Sequence, residues 1–344
     1  MFSHSIFVNI LLLVTLIECF LCQNFDFSEN FSHNVTDPDE HRDVVQLIES
    51  RGFVAETHYV TTDDGYILTI HRIVNPYLKR TKRKPVMLQH GLLSSGVDWI
   101  INAPALGIEQ SKAVFQNKTV SNNLGFALSL FGYDVWLTNS RGNTYGVNHT
   151  KFNPKKEDKL IRDFFYEEGG AFLPPNSVVN KLAEMVCKDF LFRDICSNLL
   201  FLIAGYDHLQ LNETRLPVYI AHAPAGTSAW NLVHFMQGIV SKKFQKFDYG
   251  GIKNRLKYGT KTPPSYNLTK IDTRYIAIFH SQNDWLADPD DVQFLRDQVK
   301  GHFLLDYKVQ FPKWNHIDYI WGKEAAKYVY IMILRVLEKF KFNP

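Results

Sequence analysis

An excess of charge of either sign is missing from this 344-residue chain. Thirty-eight Lys+Arg stand against 35 Asp+Glu, a net +3, so there is no basic excess to suggest nucleic acid as the main partner. Cysteine is scarce too: four residues are too few for a disulfide scaffold. Nineteen Gly and 14 Pro exclude collagen-like and low-complexity architectures. Long apolar runs are missing as well. The most apolar stretch, residues 6–17 (IFVNILLLVTLI), falls short of the roughly 20 residues that a membrane-spanning helix needs. Residues 190–203 are interrupted by Arg193 and Asp194. What is present is a 45% hydrophobic composition, enough for a packed core. The length suits one large α/β domain with an insertion, or two ordinary domains.

The run at 6–17 has the length of a signal-peptide core, although residues 1–5 carry no Lys or Arg, only His4. A cleaved leader over 1–22 is the expectation, and an uncleaved anchor is the alternative. Cleavage after Cys22 leaves two cysteines, Cys187 and Cys196, which in an oxidising compartment form either one disulfide or two buried free thiols. N-x-S/T sequons at Asn30, Asn34, Asn117, Asn148, Asn212 and Asn267 agree as a cluster with secretion.

Along the mature chain, residues 43–51 read as a short helix stopped by Gly52. Two strands, 56–61 and 67–73, flank an Asp63-Asp64-Gly65 turn, a hairpin signal. A short apolar strand at 85–89 ends at His90-Gly91. A helix closing at 126–131 precedes a strand at 133–137, and this alternation is the α/β pattern. From 171 to about 249 the chain turns mostly helical and rich in Phe and Leu. Strands return at 275–280 and 307–311, and a helix over 326–340 finishes the chain. The expected organisation is an α/β core (37–169 and 265–344) interrupted by a helical insertion (170–250).

Asp284 lies in the turn after the strand at 275–280, and His316 lies just beyond the strand at 307–311. An acid and then a histidine, each after its own late strand, is the order of the acid and base in an α/β-hydrolase triad. The imidazole accepts the nucleophile's proton, and the carboxylate fixes its tautomer and stabilises the imidazolium. Asp288, Asp290 and Asp291 crowd the same loop; their placement suits a cap on the following helix. His316 could equally be a surface histidine on spacing alone. The His90-Gly91 pair stands where the fold's early loop donates an N–H to an oxyanion, though any tight turn could use such a pair.

Seven segments together resemble the acid lipases, the gastric and lysosomal lipases and their insect relatives. They are residues 61–73 (TTDDGYILTIHRI), 88–95 (LQHGLLSS), 132–145 (GYDVWLTNSRGNTY), 172–176 (FLPPN), 224–228 (PAGTS), 283–292 (NDWLADPDDV) and 315–321 (NHIDYIW). The resemblance implies an α/β-hydrolase core with a mostly helical cap over 171–249 and hydrolysis of triacylglycerols, cholesteryl esters or similar acyl esters. It implies Asp284 and His316 as acid and base, the Leu92 N–H as one oxyanion donor, and a cap disulfide between Cys187 and Cys196. The partners implied are a lipid ester and a lipid–water interface, in a secreted or lysosomal setting. No cofactor or metal is expected.

The sequence departs from that family at its centre. The family nucleophile sits in G-H-S-Q-G, on a sharp turn between strand and helix, and no G-x-S-x-G occurs here. Ser94 belongs to the oxyanion loop and Ser228 to the cap. Ser281 lies in FHSQN, where both glycines that permit the strained turn are replaced. No nucleophile is therefore assigned. Residues 163–169 resemble the approach to the elbow and residues 170–174 the start of the cap, so the elbow's strand and helix have no room between them. A skipped exon or a faulty gene model accounts for this. Conversely, residues 103–120 carry an extra stretch. Loss of central strands is expected to expose an edge at 133–137 and to leave the strand at 275–279 unpaired or shifted inward. This form is then an inactive member of a hydrolase family, a non-catalytic lipid-binding protein, or an inert product.

Overall fold

The computed structural model describes residues 37–78, 83–103, 120–151, 171–172 and 193–341. They fall into two compact units. One comprises the described parts of Phe27–Leu199 with His208–Ala229 and Ile317–Pro344. The other comprises Leu200–Asp207 and Trp230–His316. The expected leader, Asn30, Asn34, Asn117 and Cys187 lie outside the described residues.

In the first unit, helix α1 (Val44–Glu49) starts at a reciprocal cap. Asp43 accepts the Gln46 N–H while the Gln46 side chain accepts the Asp43 N–H. Strands β1 (Val54–Thr61) and β2 (Tyr66–Val74) form the expected hairpin, in register from Val54 opposite Val74 to Thr61 opposite Ile67. Strand β3 (Pro85–Leu88), helix α2 (Leu124–Leu130) and strand β4 (Asp134–Leu137) follow. The sheet order is β1-β2-β4-β3, with β3 parallel to β4, and β5 (Asn148–His149) pairs with the start of β2. Ile73, Val135 and Leu137 are buried against α1 and α2, and Phe53 stacks on Phe126 with ring centroids 5.0 Å apart. Arg72 forks onto Asp134 across the β2–β4 pair at 2.7 and 2.9 Å, a bidentate geometry that also fixes register.

The sheet corrects one expectation. β4 exposes no edge, because β2 and β3 flank it on both sides. Among the described residues the path runs between two edge strands, β1 and β3; β3 begins with a proline, carries an exposed Met87, and is only four residues long. Short length and an N-terminal proline suit an edge, where ladder donors are not required.

Strand β6 (Ala171–Phe172) pairs antiparallel with β7 (Thr227–Ser228). Helix α3 (Arg193–Ala204) ends among residues of the second unit, whereas α4 (Leu216–His222) belongs to the first. There Arg215 reaches Asp37, Asp39 and the Ile101 carbonyl, an ion-paired and hydrogen-bonded cation buried at the start of α4.

The second unit contains α5 (Ala229–Ser241) and α6 (Gly251–Tyr258), then β8 (Ala277–His280), α7 (Pro289–Gln298) and β9 (Leu305–Lys308). β8 and β9 are parallel, from Ala277 opposite Leu305 to His280 opposite Lys308. The late strand is thus neither unpaired nor joined to the five-stranded sheet among the described residues. β9 lies two to three residues earlier than the apolar pattern at 307–311 suggests, in register with all four residues of β8. Asp288 caps α7, accepting the N–H groups of Asp290 and Asp291. The chain closes in the first unit with α8 (Asp318–Trp321) and a π-helical turn (Ala326–Tyr330) that runs into α9 (Ile331–Lys341). Among the described residues no helix is long and apolar enough to cross a membrane.

Candidate active site

Both late loops belong to the second unit, and the structure brings their two candidates together. Asp284 follows β8 by four residues and is 3% exposed. One carboxylate oxygen accepts the N–H groups of Leu286 and Ala287, at 3.0 and 2.8 Å. Nδ1 of His316 lies 3.0 and 3.1 Å from the two carboxylate oxygens. The His316 side chain is 43% exposed. The imidazole therefore stands between a buried, fixed acceptor and solvent. A carboxylate on Nδ1 holds the proton there and leaves Nε2 to act as base.

The loops are held from behind by the end of α3. Ala204 O accepts the His316 N–H at 3.1 Å, and Gly205 O accepts the Asn315 amide at 2.8 Å. The Asn283 amide donates to Tyr206 O and to Lys313 O, at 3.1 and 2.7 Å. Gly205 has φ +106°, and a Cβ there would sit 2.0 Å from the Asn283 carbonyl oxygen and 3.1 Å from Asn315 Cβ. The asparagines preceding the acid and the histidine thus both close on one glycine. Sequence reasoning missed Gly205. The available signal was the pair of Asn residues, Asn283 and Asn315, at matching positions before the two candidates.

No serine is presented to solvent as a nucleophile among the three considered. Ser281 is 1% exposed, and its hydroxyl has no hydrogen-bond partner among the described residues. Ser228 is buried in β7 of the first unit. Ser94 is half-buried and closes the turn that starts at Gly91.

That turn follows β3 in the first unit. Leu92 is half-buried, and Leu93 is left-handed at φ 63°. His90 pins the turn. Its Nδ1 donates to Gly91 O at 2.7 Å, and Nε2 accepts the Ser140 N–H at 2.9 Å. Burial lowers the His90 pKa, consistent with a neutral ring that both donates and accepts. Asn139 extends the knot, accepting the Gly96 N–H and the Asn143 amide while donating to Thr69 O. The loops after β3 and β4 are thereby bound to each other.

Of the sequons, Asn148 and Asn267 are exposed and Asn212 is half-buried. Cys196 is buried. Among the described residues no group of three or more His, Cys, Asp or Glu could hold a metal ion.

The two parallel strands of the second unit thus lead, at their carboxyl ends, into loops whose carboxylate and histidine are in contact, the end of an α/β sheet at which ligands bind. Comparison with known proteins narrows the class. Residues 44–103 match the family described as "Partial alpha/beta-hydrolase lipase region". The chain is 33% identical to bovine gastric triacylglycerol lipase, over 88% of this chain and 93% of the relative. It is 31% identical to Lipase 3 of Drosophila melanogaster (87% and 93%), and 27% identical to human lysosomal acid lipase/cholesteryl ester hydrolase (89% and 93%). The chain belongs to the acid lipase family of ester hydrolases, and that membership implies the α/β-hydrolase fold.

Proposed function

We propose that this chain derives from a secreted or lysosomal hydrolase of triacylglycerols or other acyl esters, and that in this form it does not turn ester over. His316 is the base, Asp284 orients it, and the Leu92 N–H is an oxyanion donor. Residues 170–250 supply the cap, fastened by a Cys187–Cys196 disulfide. Support for the disulfide is that Cys196 is buried and in the bonded state.

The observation that carries the proposal is an acid–base contact of 3.0 Å in a chain without G-x-S-x-G. The alignment with the bovine lipase supports an internal loss. It runs over 393 positions, whereas 88% of 344 residues is about 303, so about 90 positions meet no residue of this chain. Removing a triad serine costs about 10⁶-fold in rate. The second oxyanion donor, the N–H after the nucleophile, goes with it.

The purified 344-residue chain is expected to show no hydrolysis of a p-nitrophenyl ester above background and no labelling by a fluorophosphonate probe. Stoichiometric labelling mapped to Ser281, Ser228 or Ser94 would mean that a displaced serine has taken the role, and would sink the proposal. A second reading, lipid binding without catalysis, is favoured by the apolar side chains that α5 and α6 leave in solvent.

A further inference from the structure

Residues 242–261 of the second unit hold six lysines, Arg255 and a single acid, Asp248. That is +6 within a chain of net charge +3. All seven cations are exposed, and none forms an ion pair among the described residues. Asp248 does not answer them. Its carboxylate is turned inward, accepting the Gly250 N–H at 2.8 Å and the Asn254 amide at 2.7 Å. Large apolar side chains stand among the cations: Val240 is 84% exposed, Ile252 82% and Leu256 83%, with Phe244 beside Lys243 also in solvent. Ile252 and Leu256 are one helical turn apart on α6, and so share a face.

This segment is a folded platform. Gln237 of α5 exchanges two hydrogen bonds with the Asp248 backbone, both 2.8 Å. The Tyr266 N–H donates to Phe244 O, and Gln245 bridges Ser265. Trp230, Phe247 and Tyr249 pack together inside it, with centroids 4.5–5.5 Å apart. Aromatic contacts tie the start of α5 to the loop before α6, and through Tyr249 and Tyr258 to α6 itself. Lys246 and Lys257 lie over the rings of Tyr258 and Tyr249 but remain exposed with the other cations and the aliphatic side chains.

We propose that the surface of residues 240–261 docks on anionic phospholipid bilayers, with Ile252 and Leu256 entering the acyl boundary and the lysines and Arg255 meeting the lipid phosphates. Charge complementarity selects an anionic partner. The protruding aliphatics select a bilayer over a nucleic acid or an acidic protein, because only the bilayer offers an apolar layer beneath a charged one. The choice of occupant rests on the lipid-directed reading above. Vesicle binding is read without turnover, so an inactive chain can still support it, and a chain that hydrolyses esters but ignores anionic vesicles fails here alone.

The test is co-sedimentation of the full chain with phosphatidylcholine vesicles, with and without 30% phosphatidylserine. Binding is expected with the anionic vesicles only, and is expected to fall as salt is raised. Lys243→Gln/Lys253→Gln should weaken it about 30-fold, each lysine near an anionic surface being worth a factor of about five. Ile252→Ser/Leu256→Ser, at fully solvated positions, should weaken it without altering the melting temperature. Equal binding to both vesicles, or anionic binding indifferent to both double variants, overturns the proposal. So does tight binding to heparin with none to vesicles.

Discussion

Gly205→Ala is the sharpest test of how the acid–base pair is held. At φ +106° an L-residue is strained, at about 1–2 kcal/mol. The added Cβ would also fall 2.0 Å from the Asn283 carbonyl oxygen, so the backbone of the loop leading to Asp284 must move. Two or three of the hydrogen bonds that join α3 to the two loops are then at risk: Asn315 to Gly205 O, Asn283 to Tyr206 O and the His316 N–H to Ala204 O. At about 1 kcal/mol each, the total loss is about 3–5 kcal/mol. Gly259→Ala is the matched control. Its φ is +75°, in the same unit, but a Cβ there meets nothing within 4 Å, so only the conformational cost of about 1–2 kcal/mol applies. Urea unfolding gives both values, and amide exchange at His316 reads the loosened loop directly. Equal losses for the two variants, with His316 exchange unchanged by Gly205→Ala, would refute the account of Gly205 as the keystone of the two loops.

Asp284→Ala leaves Leu286 N–H, Ala287 N–H and His316 Nδ1 without their acceptor. It should destabilise by about 2–4 kcal/mol, with Asp284→Asn recovering part through its amide oxygen; identical urea midpoints for the two would count against the carboxylate's structural role. In the first unit, burial pushes Asp98 up to about 6 and His71 down to about 4, and the two act with opposite sign. Asp98 is neutral in the fold but ionised in the unfolded chain between pH about 4 and 6, so its stabilisation is lost as pH rises through that window. His71 is neutral in the fold while the unfolded chain takes up its proton below about 6.5, so its stabilisation is lost as pH falls from 6.5 towards 4. Each is worth at most about 3 kcal/mol. Asp98→Asn should therefore make stability rise with pH over 4–6.5, and His71→Gln should make it fall. Unchanged pH profiles of unfolding free energy in both variants would dismiss the assignment.

The elements legible in the sequence are those with strong local signals. The helix α1 stopped by Gly52, the β1–β2 hairpin around Gly65 and the β3–α2–β4 alternation each carry their own turn residues, and all appear with bounds shifted by at most two residues. α4 and α6 went unread. The first is a seven-residue helix whose stability comes from burial of Leu216, Val218 and Tyr219. The second is eight residues, three of them cations and most of them exposed, that follow Gly250 and end at Gly259. Helices this short have little local stability, so sequence periodicity says little about them. At the site, Asp284 and His316 could be chosen from strand ends. Their hydrogen bond and the part played by Gly205 could not, because these depend on α3 meeting two loops about 80 and 110 residues further along.

The way the pair is held also limits what its presence means. The contacts found around Asp284 and His316 come from their own loops and from the end of α3, all within the second unit. None requires a nucleophile or the strand that would carry one. A buried carboxylate with two backbone donors and an imidazole is adequately satisfied as it stands, so the dyad can persist by stability alone once the serine is gone. Intact acid–base geometry is then no measure of hydrolytic competence. The family relationship is secured by similarity along most of the chain, whereas the proposed loss of activity rests on the lack of any G-x-S-x-G in the sequence. The exposed edge of β3 fits the same division: a parallel strand with its other side unpaired among the described residues is the open end of a sheet that a further strand would extend. Sequencing the transcript across codons 160–175 tests the proposed loss: a message that carries a strand-turn-helix with G-x-S-x-G there would supply the hydroxyl that the proposed base His316 needs.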